Sequence, residues 1–219
     1  MAQIDYKEAA RYLGYLKQDP GPQVAQLLLK CGKALMDAAD PRSVSQTFPV
    51  RADPESGHVE IAGTALRTKK LAKHIKGCTE AILFAATLGI EVDRLIRKAG
   101  IADMSQAVIL QACAASLIEA YCDECELPLA ADAATRRLYL RPRFSPGYGD
   151  FPIEYQKELL AVLNAPKKIG LTATDSMMLT PTKSVTAVIG LTSERSSCHL
   201  GRCGSCGMRD CPFRKENKK

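Results

Sequence analysis

Hydrophobic positions along this chain switch between a helical period and a strand period several times, and the order of the switches predicts an α+β protein. In residues 24–39, Leu27, Leu28, Cys31, Leu35 and Met36 recur at helical spacing, which marks one buried helix face and makes Cys31 a core residue. Asp5 caps a shorter helix before it, running to about residue 16, and the turn Asp19-Pro20-Gly21-Pro22 separates the two. Residues 43–51 and 58–62 are β-branched and alternating on either side of Asp53-Pro54-Glu55-Ser56-Gly57, the pattern of two strands about a loop. A basic helix over 69–76 then delivers the chain to the near-continuous apolar run 78–89, which suits a strand covered on both faces.

A helix over 90–98, stopped by Gly100, leads to a longer one over 103–125 with Asp103 as its cap. Its stripe of Ala107, Leu110, Ala114, Leu117 and Tyr121 is rich in small residues and permits close packing. Cys122 and Cys125 lie on this helix without a matching second pair, so they read as structural thiols rather than a redox couple. His74 has no ligand-like neighbours in the sequence and reads as a surface histidine. Beyond lie a short strand over 138–140, a helix over 153–164 and strands over 171–174 and 184–191. No internal repeat is visible.

The segment Arg141-Pro142-Arg143-Phe144-Ser145-Pro146-Gly147-Tyr148-Gly149-Asp150-Phe151-Pro152 fits none of these periods. Its prolines fix φ while Gly147 and Gly149 can adopt values that other residues avoid, so it predicts a rigid, irregular loop. Within it Arg143 offers a planar fork for a carboxylate, and Tyr148 an aromatic face with a hydroxyl at its edge.

A length of 219 residues allows one principal domain, taken as 1–194, and a small tail, 195–219. The net charge of +6 is modest and is spread without aromatic interleaving, which speaks against nucleic acid. There is no long apolar run and no leader-like start, so a cytoplasmic protein that crosses no membrane is expected. Nine cysteines, an odd number, fit reduced thiols and metal ligation better than a disulfide framework.

Four of those cysteines form the tail cluster Cys198-x4-Cys203-x2-Cys206-x4-Cys211-Pro212, with glycines 201, 204 and 207 letting the backbone wrap closely. Such a set of thiolates can enclose one metal centre. The spacing and the final Cys-Pro favour an iron-sulfur cluster over tetrahedral zinc, with disulfides third; His199 can replace one cysteine as ligand.

Arg143-x-x-Pro146-Gly147-Tyr148, followed by Pro152 and the amphipathic stretch 154–163, resembles the S-adenosylmethionine-binding signature of the activation domain of cobalamin-dependent methionine synthase. Ile169-Gly170-Leu171, Asp175-Ser176-Met177-Met178-Leu179, Pro181 and Ser184-Val185 keep the order that follows the signature in that family, and Leu117-Ile118-Glu119-Ala120-Tyr121 sits where the family has a helix bearing a ligand-binding glutamate. The detailed resemblance covers residues 116–191, and from residue 5 to about 100 it is looser and lies with free-standing members. It implies a curved, mostly antiparallel sheet with flanking helices. Arg143 would grip the ligand carboxylate and Glu119 attract its ammonium, or the two would form a structural ion pair. Backbone groups of Ser145, Pro146, Gly147 and Tyr148 would hold the adenosine, with Tyr148 as the catalytic residue toward the cobalt. An acidic residue near the N-terminus contributes to the family's site; none aligns here, and Asp5 and Asp19 are formal candidates.

The implied activity is reductive remethylation of the cobalamin of a separate methionine synthase or related corrinoid protein, with S-adenosylmethionine as methyl donor and a flavodoxin or ferredoxin as electron donor. The alternative is a non-enzymatic docking or assembly module with a structural zinc tail.

Overall fold

The computed structural model describes residues 2–16 and 18–194. Asp5 accepts hydrogen bonds from the amides of Lys7 and Glu8 and so starts α1 (Tyr6–Tyr12). α2 (Pro22–Ala38) begins on Pro22, whose missing N–H and fixed φ suit a first helical position. β1 (Arg42–Asp53) and β2 (His58–Ile61), the two strands read about the loop, pair antiparallel as a hairpin. A third strand, β3 (Thr64–Arg67), follows β2 through Ala62 and Gly63, both at positive φ (51° and 81°), which matches the twist a tight hairpin requires. α3 (Lys69–His74), β4 (Glu80–Thr87), α4 (Ile90–Ala102) and α5 (Met104–Thr135) come next. The chain then runs through β5 (Tyr139–Leu140), α6 (Tyr155–Val162), α7 (Ala165–Ile169), β6 (Thr172–Ala173), β7 (Leu179–Thr180) and β8 (Ser184–Thr192).

Six strands form one sheet in the order β3-β2-β1-β4-β8-β5, every pair antiparallel, while β6 and β7 pair separately. Alternation along β4 explains its apolar run. Ile82, Phe84 and Ala86 join the core made with α1, α2, α4 and α5, whereas Ala81, Leu83 and Ala85 join a second core with α3, α6 and α7. Helices thus cover both faces, and a side chain such as Phe84 gains about 2–3 kcal/mol from burial. In β8 the alternation is repeated by Ala187, Ile189 and Leu191 against Val188. Gly190 lies so close to the segment after α3 that an added Cβ would stand 2.7 Å from Cys78 Sγ.

Two helices outrun their predicted ends. α4 continues through Gly100 to Ala102, because a helical Gly costs only about 1 kcal/mol relative to Ala. α5 continues through Pro128 to Thr135, carried by the alanine-rich turns 130–134 and anchored by buried Ala133. At 32 residues it is about 48 Å long. Asp103 caps it as predicted, its carboxylate held down to about 2 by hydrogen bonds from Ser105 and Gln106.

Candidate functional site

The irregular loop grows out of β5 along the side of β8. Arg141 N–H donates to Gly190 O at 2.8 Å, and Phe144 exchanges both backbone hydrogen bonds with Val188, at 3.0 and 2.9 Å. The chain then folds on itself. Tyr148 N–H donates to Ser145 O (3.1 Å), Gly147 N–H to Phe151 O (2.9 Å) and Phe151 N–H to Tyr148 O (3.0 Å). Gly147 and Gly149 sit at φ 88° and 62°, values that a side chain would strain.

His74 departs from its predicted surface role. It is half-buried at the end of α3, its ring 4.9 Å from that of Phe144, and Nε2 lies 2.7 Å from Pro142 O. A carbonyl only accepts, so Nε2 carries the proton. Burial lowers the His74 pKa from 6.5; the bond to Pro142 opposes that shift and the Arg141 charge adds to it. With the folded value depressed, the unfolded chain binds more protons between the two values, so stability is complete above about 6.5 and is lost as pH falls through the folded value. The urea midpoint should therefore drop as pH is lowered from 7.5 to 5.5, and His74→Gln should flatten that part of the profile. Superimposable profiles would contradict it.

Arg143 is the most enclosed charge in this region. Its side chain is only 5% exposed, with Nη2 3.0 Å from Glu119 and 2.8 Å from Asp123, and Nη1 bonded to Glu126. These carboxylates stand at i, i+4 and i+7 on α5 and share one face. Burial alone would lower the Arg143 pKa, but the carboxylates of Glu126 and Asp123 raise it. Its buried Nε has no hydrogen-bond partner among the described residues. Beside this cluster Cys122 is fully buried, and burial pushes its thiol far up. Cys125 Sγ contacts Ser43 Oγ at 3.4 Å. A reluctant thiolate at Cys122 agrees with the structural reading of the Cys-x-x-Cys pair.

Next to this cluster opens a cleft of about 190 Å³ lined by Glu119, Ser145, Tyr148, Gln156, Leu179, Ser184, Val185 and Thr186. Glu119 belongs to both, lining the cleft and accepting from Arg143. Buried Gln156 forms the floor: Nε2 donates to Met177 O at 2.7 Å and Oε1 accepts from Thr186 Oγ1 at 3.1 Å. Tyr148 stands at the mouth, 52% exposed. A larger hollow of about 500 Å³ lies between α1 and α2, but it contains none of the loop residues, and its Arg11 is already paired with Glu8.

A family model described as the activation domain of vitamin B12-dependent methionine synthase matches residues 70–216, more than half of the chain. The chain belongs to that family. The match spans the loop, the glutamate of α5 and every strand from β4 onward, and it extends past all four tail cysteines. No curated protein matches the chain. Among solved structures, a crystal structure of the MetH reactivation domain bound to AdoHcy superposes with a TM-score of 0.62 at 17% identity, covering 85% of this chain and 73% of that one. At that identity the likeness speaks for the fold alone, and it agrees with the predicted antiparallel sheet flanked by helices.

The fold brings Glu119, Ser145 and Tyr148 to one cleft, with Arg143 reached through Glu119. Pro146 is buried and Gly147 exposed in the turn between them. Of the formal N-terminal candidates, Asp5 uses its carboxylate to cap α1 while its backbone exchanges hydrogen bonds with Ser116 Oγ on α5, both 3.0 Å. Asp19 borders the larger hollow. Sequence reasoning missed Gln156 and Thr186, which lie far apart in the chain, and Asp123 and Glu126, whose spacing from Glu119 was the available signal. Cys198, Cys203, Cys206 and Cys211 lie outside the described residues. Among the described residues no cluster of His, Cys, Asp and Glu has the geometry of a metal site, and no helix is long and apolar enough to cross a membrane.

Proposed function

We propose that this chain binds S-adenosylmethionine in the cleft beside Arg143 and reactivates a cobalamin-dependent methyltransfer protein carried on a separate chain, a methionine synthase or related corrinoid protein. The observation that carries the reading is the convergence of Glu119 from α5 with Ser145 and Tyr148 from the loop on one cleft, in a member of this family. The residues fit the ligand. It carries a carboxylate, an ammonium and a sulfonium, and the cluster around Arg143 offers one cationic fork within an excess of carboxylate. Ligand carboxylate would displace Asp123, at 70% exposure the most solvated partner of Arg143, and leave Glu119 for the ammonium. A cleft of about 190 Å³ is smaller than a typical enclosed ligand site of roughly 300 Å³ or more, so the adenosine lies along the backbone of residues 145–148.

When bound opposite the mouth, reduced cobalamin of the partner supplies the nucleophile that accepts the methyl group, and the sulfonium departs as a neutral thioether. The chain's own share is positioning: Arg143 and Glu119 fix the amino-acid end, and Tyr148 meets the partner at the mouth. Calorimetry with S-adenosylmethionine should show binding, and reductive methylation of a cobalt(II) partner with a flavodoxin or ferredoxin as donor should stall when this protein is omitted. Equal rates without it would overturn the reading. Absence of any binding heat would favour the docking module instead.

The tail is read as a separate unit, 195–219, beside the 1–194 domain, its four cysteines holding an iron-sulfur cluster, with zinc the alternative. The support is the donor set itself. Protein purified without oxygen should be brown, and changing Cys203 and Cys206 to Ala should remove iron and acid-labile sulfide together while leaving S-adenosylmethionine binding in place. Colourless protein with about one zinc per chain would contradict the cluster.

A further inference from the structure

The ligand loop is fastened to α3 at both of its ends. Asp150 Oδ1 accepts from Thr68 Oγ1 (2.8 Å) and Lys70 N–H (3.0 Å), and Oδ2 from Lys69 N–H (2.8 Å). These amides belong to the first turn of α3, whose own cap, Thr68 Oγ1, reaches only Leu71 N–H at 3.4 Å. The last residue of the same helix, His74, donates from Nε2 to Pro142 O and lays its ring against Phe144. Thr68 N–H in turn donates to Gly57 O at 2.8 Å, tying the start of α3 to the turn between β1 and β2.

A six-residue helix, about 9 Å long, therefore spans the interval between Pro142 and Asp150. Between those two anchors lie all the loop residues of the cleft. The two glycines at positive φ, Gly147 and Gly149, sit between the anchors as well, at the points where an unfastened loop would give way. Aromatic contacts continue the support inward, from Phe144 to Tyr148 and to Phe151, each with ring centroids 6.1 Å apart.

We propose that His74 and Asp150 are positioning residues for S-adenosylmethionine: α3 acts as a strut, held by Asp150 at one end and His74 at the other, that fixes Ser145–Tyr148 in the conformation that receives the ligand. This role rests on the ligand reading above. Neither residue lines the cleft, and each acts by sparing the loop the cost of ordering when ligand binds.

The test compares Asp150→Asn, His74→Phe and His74→Gln with the wild type by calorimetry with S-adenosylmethionine, alongside hydrogen exchange of the amides of residues 144–151. Asn at 150 keeps one carboxamide oxygen where two carboxylate oxygens now serve. Phe at 74 keeps the ring and drops the donor, whereas the Gln amide can place a donor near the original Nε2. Asp150→Asn and His74→Phe should each weaken binding by about tenfold and speed exchange across the loop, and His74→Gln should restore most of the affinity. A matched control, Val59→Ala, removes packing from the core that includes α3 without touching either anchor, and should lower stability with affinity unchanged. Wild-type affinity in both Asp150→Asn and His74→Phe, or equal loss in His74→Gln and Val59→Ala, would overturn the positioning role while the ligand reading stands. Wild-type protein that gives no binding heat would overturn the ligand reading and this role with it.

Discussion

Arg143→Ala should destabilise the fold by about 2–3 kcal/mol, read as a lower urea midpoint at unchanged slope. In the wild type one nearly enclosed guanidinium is shared by Glu119, Asp123 and Glu126. Without it three carboxylates on one face of α5 lose their common counter-charge. Removing one partner of a fully buried pair costs about 3–5 kcal/mol, and the lower figure is expected here because Asp123 and Glu119 keep contact with solvent. Lysine should rescue poorly, since a single ammonium cannot serve partners on both Nη1 and Nη2. Ligand affinity should fall as well, and it must be measured on the folded fraction. An Arg143→Ala midpoint equal to the wild type would show that the carboxylate cluster does not depend on this cation.

Gln156→Glu should be tolerated in acid and costly at neutral pH. A protonated carboxyl can still donate to Met177 O and accept from Thr186, so below its unfolded pKa of about 4.3 the substitution changes little. Deprotonation removes the donor and leaves a buried charge facing a carbonyl. The folded pKa is thereby raised, and stability present below the unfolded value is lost as pH rises through the folded one. At pH 7.5 the loss should reach about 3 kcal/mol, with loosening of the segment that runs from Met177 to Leu179, the last of which lines the cleft. Urea midpoints of variant and wild type at pH 5 and pH 7.5 provide the check. A gap that does not widen with pH would show that the carboxylate finds solvent.

Much of this site was legible in the sequence, but in separate pieces. The loop announced itself by its prolines and glycines, and the buried strand by its apolar run. Arg143 was singled out for the fork it offers a carboxylate, and in the fold that fork is taken by carboxylates of the chain itself, Glu119, Asp123 and Glu126, which come to it only when α5 is laid against the loop. His74 was misread for a related reason: its partner, Pro142 O, is 68 residues away and belongs to a backbone that no side-chain pattern reports. The end of α5 was hidden by Pro128, whose helix-breaking tendency is outweighed by the alanines beyond it and by the burial of Ala133. β3 was hidden because its turn begins on Ala62, a residue seldom found at positive φ.

Among the described residues, the outermost strand on the side of the sheet where the cleft opens is β5, two residues long and followed closely by Pro142. Such a border cannot template another strand: it is too short to hold a ladder, and the proline contributes no N–H to continue one. Under the reading proposed above, a partner at the mouth would meet this border through exposed side chains such as Tyr148 rather than by extending β5. Contacts of that kind can be made and broken without unpairing a sheet, which would suit the separate partner proposed above.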